Sequence, residues 1–548
     1  MRLRACLRFL GPIAFALTIA VALPASAQAS SGMISMLEDQ PLLIANPQAE
    51  LGQLRSLGVT SIRFLAVWQE IAPKPNSRKP PRHFSGANPA AYPAANWAPF
   101  DNVIIAAHQQ GIQVNLDLQG GAPLWANGPG MPAGRHQNWE PNPRLYGQFV
   151  RAVAKRYSGS YIPKGSSTSL PRVSFWSIWN EPDYGPSLSP QGVPGNLTIE
   201  YSPLQYRRLL DAAWSALMST GHSHDTIVFG ELAPRGTTKW GVFSGVKPLH
   251  FLRTLYCLDS RYRPLRGSAA RLRGCPTSPS ASRRFAGQHP ALFKASGVSD
   301  HPYMRWYPPN HEQQSDPDYS SLGEIGGFER GLDRVQLAYG SHKRFPIYNT
   351  EYGYITSPPK HDNQLEPGNH RYPWVSQTKA ADYLNWAEYL SWHDPRMMSF
   401  NQYLLTDALP ATKANDWGGF ASGLISFNGN PKPTYAAWRM PLYMPVTSAS
   451  NGSALQVWGC VRPAPLAALD TGQPQQADIQ FRPSSGGPFT TAQTVNITST
   501  SSCYFDLHVV FPGSGTVRVM WTYPAADPML VPSGPAVAMS RDVQITLH

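Results

Sequence analysis

The sequence predicts an α/β fold, a (β/α)8 TIM barrel, followed by a small all-β sandwich domain. Strand-like and helix-like segments alternate from residue 33 to residue 443, as barrels with long insertions do. After Pro445 the sequence changes to short segments of period-two hydrophobicity separated by Gly, Pro and Ser, without a helix pattern. A chain of 548 residues also exceeds what one hydrophobic core supports. We therefore predict a barrel over residues 28–444 and an immunoglobulin-like β-sandwich over residues 445–548.

Eight apolar runs are the candidate barrel strands, and amphipathic segments between them are the candidate helices. The strands are MISML (33–37), TSIRFLAVW (60–68), IQVNLDL (112–118), RVSFWSIW (172–179), TIVFGEL (226–232), VSDHPYM (298–304), FPIYNTEYG (345–353) and RMMSFNQYLL (396–405). The helices are 47–58, 100–111, 143–159, 202–221, 377–392 and 432–443. In the third of them, Leu145, Phe149 and Val153 share one face at helical spacing.

The first 27 residues have the pattern of a secretory signal peptide. Three arginines precede an apolar run that ends in the small residues before the predicted cleavage site after Ala27. The run from Phe9 to Leu23 is shorter than the roughly 20 residues that span a bilayer. We therefore expect a secreted monomer with no membrane span.

Four cysteines remain after cleavage: Cys257, Cys275, Cys460 and Cys503. An even number of cysteines in an exported chain indicates disulfides, and four cysteines allow three pairings. The predicted domain division favours the pairs 257–275 and 460–503. Metal binding is the weaker alternative because no CxxC pair is present, and we expect neither a metal nor a cofactor.

The formal charge of +12 is most concentrated in residues 253–284, where eight arginines accompany a single acid, Asp259. This segment predicts either a site for an acidic polymer or a solvated, disulfide-closed loop. We favour the loop, because charge runs more often determine solubility than specificity. No recognition motif accompanies the charge, so nucleic acid is not an expected partner.

Two carboxylates stand at the ends of predicted strands. Glu181, within WNEP, follows strand four, and Glu351, within NTEYG, follows strand seven. Asn, Pro and Asp also form ordinary turns, so either motif alone is weak. However, barrel enzymes carry their reactive groups at the carboxyl ends of the strands. A retaining glycosidase needs two carboxylates about 5 Å apart there, an acid and a nucleophile.

The chain resembles clan A glycoside hydrolases, and within the clan families 39 and 5. The resemblance covers residue 33 to about residue 443 and rests on SIRF, WNEP, DHPY and TEYG. It implies that Glu181 is the acid/base, that Glu351 is the nucleophile, and that Asn180 holds the 2-hydroxyl of the sugar.

The resemblance also implies supporting residues. Arg63 would steady the nucleophile, and either His301 or Tyr303 would hydrogen-bond near it; a structural ion pair is the alternative for Arg63. Trp306 and Gln402 are candidates for substrate contacts, as are the loop residues Trp374 and Trp417.

Two strand ends depart from the clan pattern. Clan members often have a histidine after strand three, where this chain has Asp117 and Gln119. Many have a tryptophan after strand eight, where it has Gln402, Tyr403 and Asp407. These differences bear on the substrate and not on the mechanism.

The predicted function is that of a secreted retaining O-glycoside hydrolase. It would cleave a poly- or oligosaccharide by double displacement through a covalent glycosyl-enzyme intermediate. The alternatives are a non-catalytic carbohydrate-binding protein on a degenerate barrel, and a transglycosylase. The sandwich resembles modules attached to bacterial polysaccharide enzymes, and we expect it to brace the barrel more than to bind glycan.

Overall fold

The computed structural model confirms the predicted barrel. It describes residues 32–132, 138–237, 244–312, 316–356, 374–408, 420–527, 529–530 and 536–548, so the predicted signal peptide lies outside the described residues. Eight parallel strands close into a barrel in which each strand pairs with its sequence neighbours and the first pairs with the last. They are β1 Ile34–Glu38, β2 Ser61–Leu65, β3 Gln113–Leu118, β4 Phe175–Ile178, β5 Thr226–Leu232, β6 Gly297–Asp300, β7 Ile347–Asn349 and β8 Met397–Tyr403.

Most of the helices surround the barrel and bury apolar side chains against it, and α14 belongs to the C-terminal region. The α-helices are α1 Gln40–Ala45, α2 Pro47–Ser56, α3 Trp68–Ile71, α4 Ala94–Gln109, α5 Pro143–Arg156, α6 Ser202–Met218, α7 Pro248–Leu255, α8 Gly267–Leu272, α9 Pro279–Gln288, α10 Ala291–Lys294, α11 Ile325–Leu337, α12 Gln377–His393, α13 Pro433–Arg439 and α14 Ala464–Thr471. A two-stranded hairpin, Gly192–Val193 with Asn196–Glu200, precedes α6. Among the described helices, none is both long and apolar enough to cross a membrane.

Several of the observed helices are not predicted by the sequence, and α11 and α14 are two of them. Helix α11 follows strand β6 and contains Gly326, Gly327 and Gly331, which disfavour a helix by about 1 kcal/mol each. The burial of its residues Phe328 and Leu332, one helical turn apart, outweighs that cost. Helix α14 lies between strands of the predicted all-β region and ends at Gly472 in the left-handed conformation.

The C-terminal region forms two sheets, as the sandwich prediction requires. The strands are β9 Leu442–Tyr443, β10 Ser448–Ala449, β11 Ala454–Cys460, β12 Gln475–Pro483, β13 Thr490–Ile497, β14 Tyr504–Val510, β15 Gly515–Thr522, β16 Val537–Met539 and β17 Val543–Leu547. Strands β9, β11 and β14 form one sheet, and β10, β17, β15, β12 and β13 form the other, with β16 paired to β15. The two large buried apolar clusters of the chain separate between Trp438 and Met440, while the boundary at residue 445 stays a prediction.

The four cysteines form the two local disulfides favoured by the sequence, Cys257–Cys275 and Cys460–Cys503. The arginine-rich segment is therefore closed by a disulfide, but helices α8 and α9 lie within it. Several of its arginines are held in ion pairs, among them Arg253 with Asp318, Arg263 with Asp259 and Arg273 with Glu200.

The side chains inside the barrel change from apolar to polar along its axis. Near the amino ends of the strands, Met36, Phe175, Val228 and Tyr348 form a small apolar cluster. Further along the strands the inward positions are polar, and the amide of Asn115 donates to the hydroxyl of Ser177. The apolar cluster closes the amino end of the barrel, and the polar layers lead to its carboxyl end.

A buried ion pair joins the barrel to the C-terminal region. The Nη2 atom of Arg462 lies 2.7 Å from both carboxylate oxygens of Glu388, and both side chains are fully buried. The hydroxyl of Tyr504 donates to Glu388 Oε1 over 2.8 Å, and the guanidinium lies 4.0 Å from the ring centroid of Trp438. Arg462 Nη1 also reaches Ser35 Oγ in β1.

Removing one partner of this pair should be strongly destabilising, because it leaves a buried charge without compensation. We expect Arg462→Met to lower the free energy of unfolding by about 3–5 kcal/mol. The double variant Arg462→Met/Glu388→Met removes both charges and should recover most of that loss. Urea unfolding of both variants makes the comparison, and equal losses would show that the ion pair is not the source of the effect.

Candidate active site

Arg63 is the centre of a buried polar cluster at the carboxyl end of the barrel. It lies in β2, and its side chain is fully buried. Its Nη1 atom donates to Glu38 Oε2 over 2.5 Å and to Glu351 Oε1 over 2.7 Å. Its Nη2 atom donates to Asp117 Oδ2 over 2.9 Å and to Asn180 Oδ1 over 2.8 Å. One guanidinium therefore connects the ends of β1, β3, β4 and β7.

Glu231, in β5, adds another buried carboxylate to this cluster. The pairing of β5 with β6 shifts register between Gly230 and Leu232, and Glu231 itself has a φ of +47°. Such an irregularity re-aims a side chain, and here it places the carboxylate inside the barrel. Glu231 Oε2 lies 3.0 Å from Arg63 Nη2 and accepts a hydrogen bond of 2.9 Å from Thr350 Oγ1.

His301 follows β6 and stands between three carboxylates. Its Nε2 atom lies 2.9 Å from Glu231 Oε2, and its Nδ1 atom lies 3.1 Å from Glu181 Oε1 and 3.6 Å from Glu351 Oε2. Burial lowers the pKa of His301, but the carboxylates of Glu351, Glu181 and Glu231 raise it well above its ordinary value. The surrounding carboxylates therefore favour the protonated form of the ring.

Glu181 and Glu351 face each other across this histidine. One oxygen of each and one ring nitrogen of His301 all lie within 4.8 Å of one another. Their side chains are 18% and 12% exposed, whereas those of Glu231 and Asp117 are fully buried, so within this cluster the facing pair is open to solvent.

The surroundings of Glu351 act on its charge in opposite directions. Burial raises the pKa of Glu351 above its ordinary value, and nearby carboxylates add to that effect. His301 and Arg63 lower it, and Tyr303 donates its hydroxyl to Glu351 Oε2 over 3.1 Å.

The fully buried acids divide into one that is ionised and two that hold protons more tightly. Burial raises the pKa of Glu38 to about 8 and that of Asp117 to about 7, in spite of the opposing effect of Arg63. Burial alone would also raise the pKa of Glu231, but Arg63 and His301 outweigh this effect and lower the pKa of Glu231 to about 2. The raised pKa values favour proton uptake by Glu38 and Asp117. This uptake limits the negative charge that Arg63 and His301 balance.

Glu181, His301 and Glu351 are close enough together to bind one metal ion. Both ring nitrogens of His301 already face carboxylate oxygens, and an imidazolium has no lone pair for a metal. The arrangement therefore fits acid–base chemistry better than metal coordination.

Six of the residues predicted from the sequence lie together in this cluster: Arg63, Asn180, Glu181, His301, Tyr303 and Glu351. The amide of Gln402 instead donates to the main-chain carbonyls of Tyr403, Leu404 and Ser422. The described contacts of Trp306 are with the ring of Tyr307 and the guanidinium of Arg305. Substrate contacts by Gln402 and Trp306 remain predictions. Trp374 is exposed, and Trp417 lies outside the described residues.

Sequence reasoning did not select Glu38 and Glu231, and it noted Asp117 only as a departure from the clan pattern. All three lie at or near the end of an apolar strand, as Glu181 and Glu351 do, and this position is the signal that could have identified them. Asp407, also at a strand end, is instead paired with Lys432.

No protein-family model matches the sequence, and no curated protein matches it. The similar solved structures include a family 39 glycoside hydrolase from Bacteroides cellulosilyticus WH2, with 14% identity over 88% of this chain and 80% of that chain and a TM-score of 0.42. A glucosidase from Croceicoccus marinus has 12% identity over 88% and 94% of the two chains, with a TM-score of 0.43. An aphid myrosinase has 12% identity over 74% and 97%, with a TM-score of 0.43. These similarities are too low to transfer a function, so function is inferred from the geometry of the site.

Replacing Arg63 should destabilise the protein in a pH-dependent way. We expect Arg63→Met to lower the free energy of unfolding by about 3–5 kcal/mol, because the buried acids lose their shared cation. Acids whose folded-state pKa is raised bind protons more tightly when folded, so stability falls as the pH rises from the ordinary carboxyl range towards the raised values. Without Arg63 the folded-state pKa of these acids rises further. The loss should therefore be larger at about pH 8 than at about pH 5.

Urea unfolding at both pH values measures this effect, with Arg283→Met as a control because Arg283 is exposed. A loss of the same size at both pH values would contradict the assignment of Arg63 as the counter-charge of the cluster.

Proposed function

We propose that this protein is a retaining O-glycoside hydrolase, secreted and monomeric, that acts on a poly- or oligosaccharide. The observation that carries the proposal is the pair Glu181 and Glu351, which have oxygens within 4.8 Å of each other at the carboxyl end of a parallel barrel. In retaining enzymes the two carboxyl groups are about 5–5.5 Å apart, whereas inverting enzymes need about 6.5–9.5 Å for an intervening water. The short separation supports direct attack by a carboxylate.

Glu351 is the nucleophile in this proposal. Its Oε1 atom accepts from Arg63 and its Oε2 atom from Tyr303, so donors hold the carboxylate in one orientation and favour its anionic form. In the first step a Glu351 oxygen attacks the anomeric carbon, the bond to the leaving oxygen breaks, and Glu181 gives that oxygen a proton. In the second step Glu181 takes a proton from water, and the water oxygen displaces Glu351.

Asn180 has a defined orientation for substrate binding. Its Oδ1 atom accepts from Arg63 Nη2 over 2.8 Å, so the other end of the amide is Nδ2, a donor. This donor is available to the 2-hydroxyl of the sugar, where hydrogen bonds strengthen in the transition state of glycoside hydrolysis. Arg63 thus orients both the nucleophile and the amide that binds the sugar.

The two alternatives differ from hydrolysis in separate ways. A transglycosylase would use the same covalent intermediate with a sugar in place of water as acceptor. A binding protein on a degenerate barrel would not require the donors that hold Glu351, and these donors favour an enzyme. The two disulfides support secretion, because disulfides persist in oxidising compartments.

The assignment of Glu351 is tested by removing its carboxylate. Glu351→Gly should abolish turnover of an activated aryl glycoside, because no nucleophile remains. Azide in the vacated space should restore product formation with inverted configuration at the anomeric carbon. Product stereochemistry by NMR checks the result. Undiminished turnover by the variant without azide would refute the assignment.

The assignment of Glu181 is tested by varying the leaving group. For Glu181→Ala we expect unactivated glycosides to lose roughly two to four powers of ten in rate, the usual contribution of general acid–base catalysis. Dinitrophenyl glycosides need little protonation, so they should still form the intermediate, which then accumulates. Azide should release it as a glycosyl azide of retained configuration.

Glu312→Ala is the matched control for this experiment, because Glu312 is exposed and lies outside the cluster. Equal rate losses for good and poor leaving groups in the Glu181→Ala variant would mean that Glu181 is not the acid.

A further inference from the structure

The mechanism above leaves one buried, ionised carboxylate unused. Glu231 is fully buried, and the ring of His301 lies between it and Glu181, with one ring nitrogen facing each carboxylate. It therefore cannot act as a second nucleophile or acid at the position of the substrate. Any effect that it has on the reaction must act through the groups that it contacts.

We propose that Glu231 is a positioning residue that keeps His301 an imidazolium, with the Nδ1–H group directed at the two catalytic carboxylates. This inference rests on the proposed function, because it assigns a role to a neighbour of Glu181 and Glu351.

Hydrogen-bond geometry supports the charged form of the ring. Glu231 Oε2 is an acceptor, so Nε2 of His301 carries a proton. In a neutral ring Nδ1 would then be an acceptor facing Glu181 Oε1 at 3.1 Å and Glu351 Oε2 at 3.6 Å. That contact is favourable only if Glu181 donates its own proton to the ring, which would withhold it from the leaving group. An imidazolium donates from both nitrogens and avoids this conflict.

Most of the titratable groups around His301 are acids. Asp300 and Tyr303 lie on its own segment, and the groups facing it from other strands are Glu38 of β1, Arg63 of β2, Asp117 of β3, Glu181 after β4, Glu231 of β5 and Glu351 after β7. Of these, Glu231 makes the shortest contact with the ring, at 2.9 Å. Arg63 and Thr350 share the same Oε2 atom, so the position of the carboxylate is fixed.

A cation at this point serves both steps of the proposed reaction. Before attack Glu181 holds the proton for the leaving group, and the cation lowers the pKa of Glu351 and so favours the anionic form of the nucleophile. Once Glu351 is an ester its charge is gone, and the imidazolium then faces Glu181 and Glu231. Its Nδ1–H group is then directed at Glu181, the base of the second step.

NMR of 15N-labelled histidine tests the protonation of His301 without reference to activity. His301→Asn identifies the ring signals among those of the 15 histidines. In the unmodified protein we expect both ring nitrogens to carry protons at neutral pH. Deprotonation midpoints measured in the Glu231→Gln variant should move to lower pH by about one to three pH units, the usual effect of an adjacent charge. The sign follows because removing an anion weakens the binding of a proton to the ring.

Two further variants separate charge from structure. Thr350→Val removes a hydrogen bond to the same oxygen but no charge, so the midpoint should stay nearly unchanged. Glu231→Asp should restore part of the shift. In the proposed reaction, the alkaline limb of kcat/KM against pH should move in Glu231→Gln in the same direction as the NMR midpoint.

A neutral His301 in the unmodified protein at neutral pH would overturn the proposal, even if the Glu231→Gln variant did not fold. An unmoved midpoint in a folded Glu231→Gln variant would overturn it as well. Failure of the proposed function has a different result, namely no hydrolysis of any glycoside while the NMR shift is present.

Discussion

The arrangement of the site depends on one guanidinium shared by several acids. Carboxylates packed together inside a barrel repel one another and lose hydration, so a cation must be buried with them. Arg63 reaches Glu38, Asp117, Glu231 and Glu351, which belong to four different strand ends. Arg63 therefore both balances the buried acids at this end of the barrel and orients the groups of the candidate site.

The depth of each acid in the barrel decides its role. Buried Glu38 and Asp117 have a raised pKa, so each binds a proton more tightly than an exposed carboxyl group does. Glu231 remains ionised because both cations contact it. Glu181 and Glu351 lie closer to solvent, as the proposed reaction requires. A few strand positions along the barrel axis separate the buried acids from the pair that we propose to be catalytic.

The sequence was sufficient to predict the strands and part of the candidate site. Whether a residue could be predicted depends on how its position is determined. Apolar runs that end in WNEP and NTEYG were enough to place Glu181 and Glu351, because a parallel barrel brings all strand ends to one edge. The sequence around Glu231 predicts an ordinary strand. Only the irregular pairing beside Gly230 turns the side chain of Glu231 inward. Helix α11 depends on buried contacts that its glycines do not suggest. The side-chain contacts of Gln402 in β8 and of Trp306 in a loop follow from tertiary packing and not from sequence position.

The ion pair between Arg462 and Glu388 has a consequence for modularity. Arg462 enters the barrel side of the molecule, where it meets Ser35 of the first strand and the main chain of Trp438. A barrel produced without the C-terminal sheets would expose Trp438 and leave Glu388 without its counter-charge. We therefore expect the two regions to depend on each other for stability, and a C-terminal region transplanted onto a similar barrel would have to include this arginine.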